Sequence, residues 1–216
     1  MDQRVKTAIF LMLACAIALS LAAHFFAVFP FDLTITHELQ EEKNPAFSVV
    51  MQGVSAVGDT WIAIFIVGAA ATFFIVRRRM LEAGFIILTA SNFVLTSVLK
   101  ILIARPRPPY FLVNPADIFL SIDQYSFPSG HVLFFVVFFG FIACLAWGHQ
   151  TGHVRTIIIA VCGALIILIG PSRVYLGAHW ASDVLGSYII GFLWLFFIIL
   201  GYQQAFRIRN TGFKDN

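Results

Sequence analysis

The chain alternates long apolar segments with shorter polar ones, and the apolar segments are long enough to cross a bilayer as helices. An apolar helix of about 17 residues is about 25 Å long, which spans the hydrocarbon core if the helix is little tilted. The sequence therefore predicts an all-α, integral membrane, six-helix transmembrane bundle that forms a single domain over residues 1–216. The predicted spans are residues 7–29, 60–76, 81–103, 129–147, 154–170 and 181–202.

The connections between these spans differ in character. Residues 30–47 are polar and acidic and residues 48–58 are semi-polar, which together predict an interfacial helix and a turn. Asp59 or Thr60 is expected to cap the second span. Several prolines in residues 104–127 exclude a continuous helix between the third and fourth spans.

Composition places the chain in the bilayer. It has 216 residues, of which 60% are hydrophobic and 12% charged, with a mean hydropathy of +0.89. A cleaved signal peptide is the alternative reading of residues 7–29, but that run exceeds the roughly 7 to 15 apolar residues of such peptides. We therefore expect a retained first span. Cys15, Cys144 and Cys162 lie in apolar runs without paired spacing and are expected to be buried free thiols.

The cations occur in short clusters between the apolar runs and form no basic face, so no nucleic-acid partner is predicted. With six spans, one side of the membrane receives nine cations: Arg4, Lys6, Arg77, Arg78, Arg79, Arg155, Arg207, Arg209 and Lys214. The other side receives five: Lys43, Lys100, Arg105, Arg107 and Arg173. Because cytoplasmic loops carry the excess of Lys and Arg, both termini are predicted to lie on the cytoplasmic side of the plasma (inner) membrane.

Candidate chemistry begins where the fourth span begins. Pro128, Ser129, Gly130 and His131 stand at a predicted helix start, where backbone N–H groups, a hydroxyl and an imidazole meet. Such a point binds anions. Gly130 would let the backbone approach an anion closely.

Two further groups of residues fall at the same predicted membrane face. His179 and Asp183 are four residues apart at the start of the sixth span, so they share one helix face. A carboxylate that accepts from one imidazole nitrogen leaves the other nitrogen free as a nucleophile. Lys100, Arg107 and Arg173 supply positive charge for an anion, although either Lys100 or Arg107 alone would be read as an interfacial cation.

Three motifs carry a family resemblance: Lys100-x6-Arg107-Pro108, Pro128-Ser129-Gly130-His131 and Ser172-Arg173-x5-His179-x3-Asp183. In residue type, spacing and order they closely resemble the signature of the type 2 phosphatidic acid phosphatase superfamily. This resemblance implies a membrane lipid phosphatase with its active site at the extracytoplasmic ends of spans three to six. It implies His179 as nucleophile, Asp183 as its orienting partner, and His131 as general acid and then base. It also implies Lys100, Arg107, Ser129, Gly130 and Arg173 as phosphate ligands, with no metal and no other cofactor.

The implied substrate is a lipid phosphate or pyrophosphate of the undecaprenyl pyrophosphate, phosphatidylglycerophosphate or phosphatidate type, with the first two favoured. Two alternatives stay open: a lipid head-group transporter or flippase without hydrolysis, and a vanadate-dependent haloperoxidase-like activity. The sequence gives no oligomeric state. Arg105 has no place in the motif and is expected to be an interfacial cation. Asp117 and Asp123 are near enough in sequence to touch a head group, but no role is assigned to them.

Overall fold

The computed structural model describes residues 2–109 and 124–211. Ten α-helices follow one another in this part of the chain, with a π-helical segment between α7 and α8. Their bounds are α1 Gln3–Phe25, α2 Pro30–Gln40, α3 Pro45–Val57, α4 Thr60–Val76, α5 Met80–Thr89, α6 Ser91–Ile103, α7 Gly130–Phe134, the π-helical segment Phe135–Phe139, α8 Gly140–His149, α9 Gly152–Tyr175 and α10 Ala181–Thr211. Within these residues the pairing of extended backbone is limited to an isolated bridge between Pro106 and Tyr125.

Five helical stretches are long and apolar enough to cross a membrane. A sixth is counted if α3 and α4, which meet at 62°, form one bent span. Two of the stretches combine neighbouring elements: α5 with α6 over Met80–Ile103, and α7 with α8 over Gly130–His149. The prediction of an all-α integral membrane bundle is confirmed.

The region before α4 contains more helix than the sequence predicts. In place of one interfacial helix and a turn, it forms α2 and α3. Pro30 and Pro45 each occupy the first helical turn, where the N–H that proline lacks would have no intrahelical acceptor. The polar segment therefore folds as two short helices that reach back over α9 and α10.

Helix α9 continues past its predicted end at residue 170, through Pro171 to Tyr175. The hydroxyl of Tyr188, on α10, is inserted into the ladder next to this proline. It accepts the Gly170 N–H at 3.2 Å and donates to the Ile166 carbonyl at 2.6 Å. Because a neighbouring side chain satisfies these backbone groups, the helix tolerates the proline and carries Arg173 beyond it.

The span formed by α7, the π-helical segment and α8 is the most buried of the spans. Its phenylalanines and valines over residues 132–138 are almost wholly inaccessible. Helix α10 packs closely against it, since a Cβ on Gly191 would lie 3.0 Å from the Cβ of Val136. In the π-helical segment the backbone hydrogen bonds join residues five apart instead of four. The turn that joins α7 to α8 therefore contains one residue more than an α-helical turn.

The three cysteines are free thiols. Cys162 is buried and Cys144 is partly buried, in agreement with the prediction. Cys15 is exposed on α1, so the expectation that it is buried is wrong. Most of α1 lies on the outside of the bundle, where an apolar thiol faces the surroundings of the protein rather than its core.

Candidate active site

The start of α7 is anchored by its neighbours. Ser129 is the N-cap, and its hydroxyl lies 3.5 Å from the Val132 N–H. Its own N–H donates to the Ser187 hydroxyl of α10 at 2.7 Å. A Cβ on Gly130 would lie 3.4 Å from the Thr96 side chain of α6, so α6 packs against the first turn. The first-turn amides, which have no intrahelical acceptor, are thereby held in a fixed position.

Lys100 and Arg107 approach this point from the end of α6. Lys100 is buried in the last turn of that helix, and its carbonyl accepts the N–H of Ala104 at 2.9 Å. Ala104 has a left-handed conformation, with φ of 51°, which ends the helix. The chain then turns so that Arg107 Nη1 donates to the Ala178 carbonyl at 2.8 Å.

The segments on either side of residues 110–123 are held together. The Ser126 N–H donates to the Arg105 carbonyl at 2.8 Å, next to the bridge between Pro106 and Tyr125. The Trp180 indole donates to the Pro106 carbonyl at 3.2 Å. These bonds place the first and second motifs against the loop between α9 and α10.

Arg173 positions the third motif through its backbone. Its carbonyl accepts the Ala178 N–H at 3.0 Å and the His179 N–H at 3.3 Å. Its guanidinium contacts the Ser55 hydroxyl of α3. The same residue therefore fixes the loop that carries His179 and presents a positive charge beside it.

His179 is 2% exposed and contacts the backbone just before the second motif. Its Nδ1 lies 2.7 Å from the Ser126 carbonyl oxygen and 3.8 Å from Asp183 Oδ2. Because a carbonyl oxygen only accepts, Nδ1 carries the proton and Nε2 presents a lone pair. The prediction named Asp183 as the orienting partner, but the nearest acceptor of this imidazole is Ser126.

Charge around His179 also favours the neutral imidazole. Burial holds the pKa of His179 well below its usual value of 6.5, and the positive charges of Arg107, Arg173 and Lys100 lower it further. The structure therefore brings the three predicted cations to act on one uncharged histidine. The charge of His131 lowers the pKa of His179 as well.

Asp183 lies at the centre of a buried network on the far side of this loop. It accepts from Arg105 Nη1, from the Ser126 hydroxyl and, at 2.9 Å, from the Trp180 N–H. Asp183 thus holds the Ser126 segment, whose carbonyl binds His179. Its effect on the imidazole is mainly indirect.

Arg105 is not the interfacial cation that the sequence predicts. Its side chain is 0% exposed, and it bridges Asp183 to Asp32 of α2, with Nη2 2.8 Å from Asp32 Oδ2. Asp32 also accepts from the N–H and the hydroxyl of Ser182, each at 2.8 Å. Two carboxylates compensate the buried guanidinium, which explains why it is not at the surface.

His131 lies in the first turn of α7. Its Nε2 is 3.3 Å from Oδ1 of Asp59, which precedes α4. Asp59 occupies the predicted N-cap position, but its side chain makes no capping bond and turns to His131 instead. Sequence reasoning missed Asp59 as a site neighbour because N-capping accounts for an Asp at that position.

Polar residues away from the three motifs engage different partners. His24 Nδ1 lies 3.1 Å from the Ile103 carbonyl, and His37 Nδ1 lies 3.2 Å from Glu41 Oε1. Asp117 and Asp123 lie outside the described residues. Among residues 2–109 and 124–211, no three His, Cys, Asp or Glu side chains cluster as metal ligands would.

Known proteins share this sequence and this arrangement of helices. Phosphatidylglycerophosphatase B of Bacillus subtilis is 30% identical over 203 residues, covering 92% of this chain and 93% of the relative. An undecaprenyl-diphosphatase of Sulfolobus acidocaldarius is 30% identical over 141 residues, covering 63% of this chain and 59% of that protein.

The crystal structure of the transmembrane PAP2-type phosphatidylglycerolphosphate phosphatase from Bacillus subtilis superposes with a TM-score of 0.76 at 26% identity, covering 91% of this chain and 96% of that one. The profile of the PAP2 superfamily matches residues 79–207, which contain all three motifs. With the motif residues gathered at one end of the bundle and relatives alike along almost their whole length, this chain belongs to the PAP2 superfamily.

Proposed function

We propose that this protein hydrolyses a phosphate monoester or pyrophosphate carried on a membrane lipid. The observation that carries the proposal is the surroundings of His179: its Nδ1 is bonded to the Ser126 carbonyl, which leaves Nε2 free, and the positive charges of Arg107, Arg173 and Lys100 act on the residue. An uncharged nitrogen nucleophile next to three cations suits attack on a phosphorus atom that bears negative oxygens. The names of both relatives, a phosphatidylglycerophosphatase and an undecaprenyl-diphosphatase, support the same class of reaction.

In the first step, His179 Nε2 attacks phosphorus and the bond from phosphorus to the leaving oxygen breaks. His131 gives that oxygen a proton, so a lipid alcohol or lipid monophosphate departs and a phosphohistidine remains. In the second step, water attacks the phosphohistidine while neutral His131 takes up its proton. The phosphorus–nitrogen bond breaks, inorganic phosphate leaves, and His131 is again protonated.

The phosphate oxygens are held by the cations and by the start of α7. Arg107 and Arg173 can each donate hydrogen bonds to two phosphate oxygens, and Lys100 adds a point charge. The Ser129 hydroxyl and the first-turn amides around Gly130 supply further donors. These groups neutralise the charge that spreads over the oxygens as the bond breaks, so the proposed mechanism uses no metal ion.

The distribution of cations along the sequence supports placing this site at the extracytoplasmic face of an inner membrane. Nine cations fall on the side of the termini and five on the side of the site. Both termini would then be cytoplasmic, and the site would lie at head-group depth. A lipid can reach such a site without leaving the bilayer, so the bilayer itself delivers the substrate.

Between substrate types, we favour undecaprenyl pyrophosphate and phosphatidylglycerophosphate over phosphatidate. The relative named phosphatidylglycerophosphatase B matches this chain over most of its length, and the undecaprenyl-diphosphatase matches it over a shorter part. All three lipids end in a terminal phosphoryl group, so the preference rests on the names of the two relatives.

The test measures phosphate release by the purified protein in detergent from these three lipids. We expect release from at least one lipid, and a loss of about 10²-fold or more in His179→Ala, because the nucleophile is removed. His37→Ala is the matched control, since His37 is an exposed histidine paired with Glu41. Absence of release from every lipid, or equal rates for His179→Ala and the parent, would refute the proposal. Lipid that binds but survives unchanged would indicate the transporter alternative.

A further inference from the structure

The turn before α4 contacts the imidazole of His131 along one edge. Asp59 Oδ1 lies 3.3 Å from Nε2 of the ring. A Cβ on Gly58 would lie only 2.4 Å from the ring carbon Cδ2, so glycine is the residue that leaves space for the ring here. Gly58 and Asp59 together line one edge of the His131 ring.

The contacts with Gly58 and Asp59 determine which nitrogen of His131 faces away from these two residues. Cδ2 and Nε2 are adjacent ring atoms, and both are turned to residues 58 and 59. Nδ1 lies on the opposite edge of a five-membered ring. With Nε2–H donated to the carboxylate, Nδ1 is the nitrogen left to exchange a proton.

The charges around His131 are of both signs. Arg173 and Lys100 act on it with positive charge, and His131 in turn acts on His179. Asp59 is the acidic group that acts on it from the α3–α4 turn. Its side chain is 46% exposed, against 21% for His131, so the carboxylate also connects the ring to water.

We infer that Asp59 is a positioning residue for the general acid and base of this enzyme. It holds the His131 ring with Nδ1 directed to the leaving oxygen, and its negative charge stabilises the imidazolium against the neighbouring cations. Asp59 belongs to none of the three motifs. The inference rests on the proposed function, because it concerns the proton that His131 transfers.

The role fits both steps of the reaction. When the leaving oxygen departs, Nδ1 gives it a proton and the ring becomes neutral, with Nε2–H still bonded to Asp59. When water attacks the phosphohistidine, Nδ1 accepts the proton, and the positive ring again faces the carboxylate.

The test compares Asp59→Asn with the parent on two substrates. One is an alkyl lipid phosphate, whose leaving alkoxide needs a proton, and the other is a lipid-tailed nitrophenyl phosphate, whose leaving group does not. The Asp59 side chain makes no capping bond to α4, so Asn leaves the start of that helix without a lost bond. General acid catalysis contributes about 10²- to 10⁴-fold. We expect single-turnover phosphoryl transfer from the alkyl substrate to fall by about 10- to 100-fold, as a part of that contribution, and transfer from the nitrophenyl substrate to change by less than about threefold.

Three further measurements complete the test. In Asp59→Asn the basic limb of the pH profile for the alkyl substrate should move to lower pH, because the charge that favours the imidazolium is gone. Asp59→Glu should recover part of the loss. In a His131→Ala background, Asp59→Asn should have little further effect, because the two residues act as one unit. Glu38→Gln, an exposed acidic residue of α2, is the control and should resemble the parent.

The outcomes separate this inference from the proposed function. A parent protein that hydrolyses lipid phosphates while Asp59→Asn matches it on both substrates refutes the role of Asp59 alone. An equal loss on both substrates, with an unmoved pH profile, shows that Asp59 acts only in folding and also refutes the role. A parent protein without any hydrolysis refutes the proposed function itself.

Discussion

The imidazole Nδ1 of His179 lies 2.7 Å from the backbone carbonyl of Ser126, closer than it lies to the carboxylate of Asp183. The orientation of the proposed nucleophile therefore depends on the position of the backbone at Ser126, two residues before the second motif. Asp183 and Arg105 hold that backbone through the Ser126 hydroxyl and the pairing of Ser126 with Arg105. This arrangement makes the position of His179 sensitive to residues that do not touch it.

Replacing Arg105 should destabilise the protein. Arg105→Met leaves Asp32 and Asp183 buried without their shared cation, and breaking a buried ion pair costs about 3–5 kcal/mol. The free energy of unfolding, measured by titration with sodium dodecyl sulfate in mixed micelles, should fall by about this amount. Lys43→Met removes an exposed cation near the same face and should have little effect. An Arg105→Met protein as stable as the parent would contradict the network.

The activity should persist below the usual pKa of histidine. Because burial and the charges of Arg107, Arg173 and Lys100 lower the pKa of His179, its nucleophilic neutral form persists as pH falls below 6.5. The acidic limb of kcat/KM that belongs to this residue should therefore lie well below pH 6.5. Arg107→Gln removes one of these positive charges and should move the limb to higher pH. An acidic limb at pH 6.5 in the parent, unmoved in Arg107→Gln, would contradict this prediction.

The same shift predicts how stability depends on pH. Below pH 6.5 the unfolded chain binds a proton at His179 while the folded protein does not. This residue therefore lowers stability as pH falls, by about 1.4 kcal/mol per pH unit until the folded-state pKa is reached. His179→Gln should flatten the decline between pH 6.5 and 5, as measured by the same unfolding titration. An identical decline in the two proteins would show that other groups cause it.

A covalent phosphoenzyme should be trapped when His131 is removed. In His131→Ala, a nitrophenyl lipid phosphate still transfers its phosphoryl group, because its leaving group needs no proton, but attack by water is slowed. Protein-bound ³²P that is stable in alkali and labile in acid should accumulate on rapid quenching. The double variant with His179→Ala should carry no label. Label that remains in the double variant would place the nucleophile elsewhere.

Vanadate should inhibit hydrolysis and EDTA should not. Vanadate mimics the five-coordinate transition state, which three cations and the start of α7 are proposed to hold. Because those cations neutralise the charge on the phosphate oxygens, removing free divalent ions should leave the rate of hydrolysis unchanged. Phosphate release measured with each reagent checks both statements. Loss of activity in EDTA that magnesium restores would contradict the proposed metal-free mechanism.

The sequence predicted the parts of the site that have a local signature. The serine, glycine and histidine at residues 129–131 indicated a helix start, and α7 begins at Gly130 with Ser129 as its cap. The spacing of His179 and Asp183 indicated a shared helix face. Both side chains are buried, but His179 lies in the loop before α10 and only Asp183 lies in its first turn. Apolar runs of membrane-spanning length indicated most of the spans, because the thickness of the bilayer sets the length of a transmembrane helix.

Other parts had no such signature. Arg105 and Asp32 are separated by 73 residues and pair only after α2 folds onto α10, so the sequence showed one cation and one acid without their relation. The acceptor for His179 is a backbone carbonyl, which every residue carries. Asp59 satisfied a local capping rule and was accordingly assigned to it, although tertiary packing turns its carboxylate to His131.

The π-helical segment at Phe135–Phe139 determines how α7, which carries His131, is rotated relative to α8. One residue corresponds to about 100° of rotation around an α-helix. The widened turn therefore offsets α7 from α8 by about that angle compared with an uninterrupted α-helix. If one phenylalanine were deleted there and the regular ladder closed, the membrane-embedded half would keep its packing, while the imidazole of His131 would swing away from Asp59.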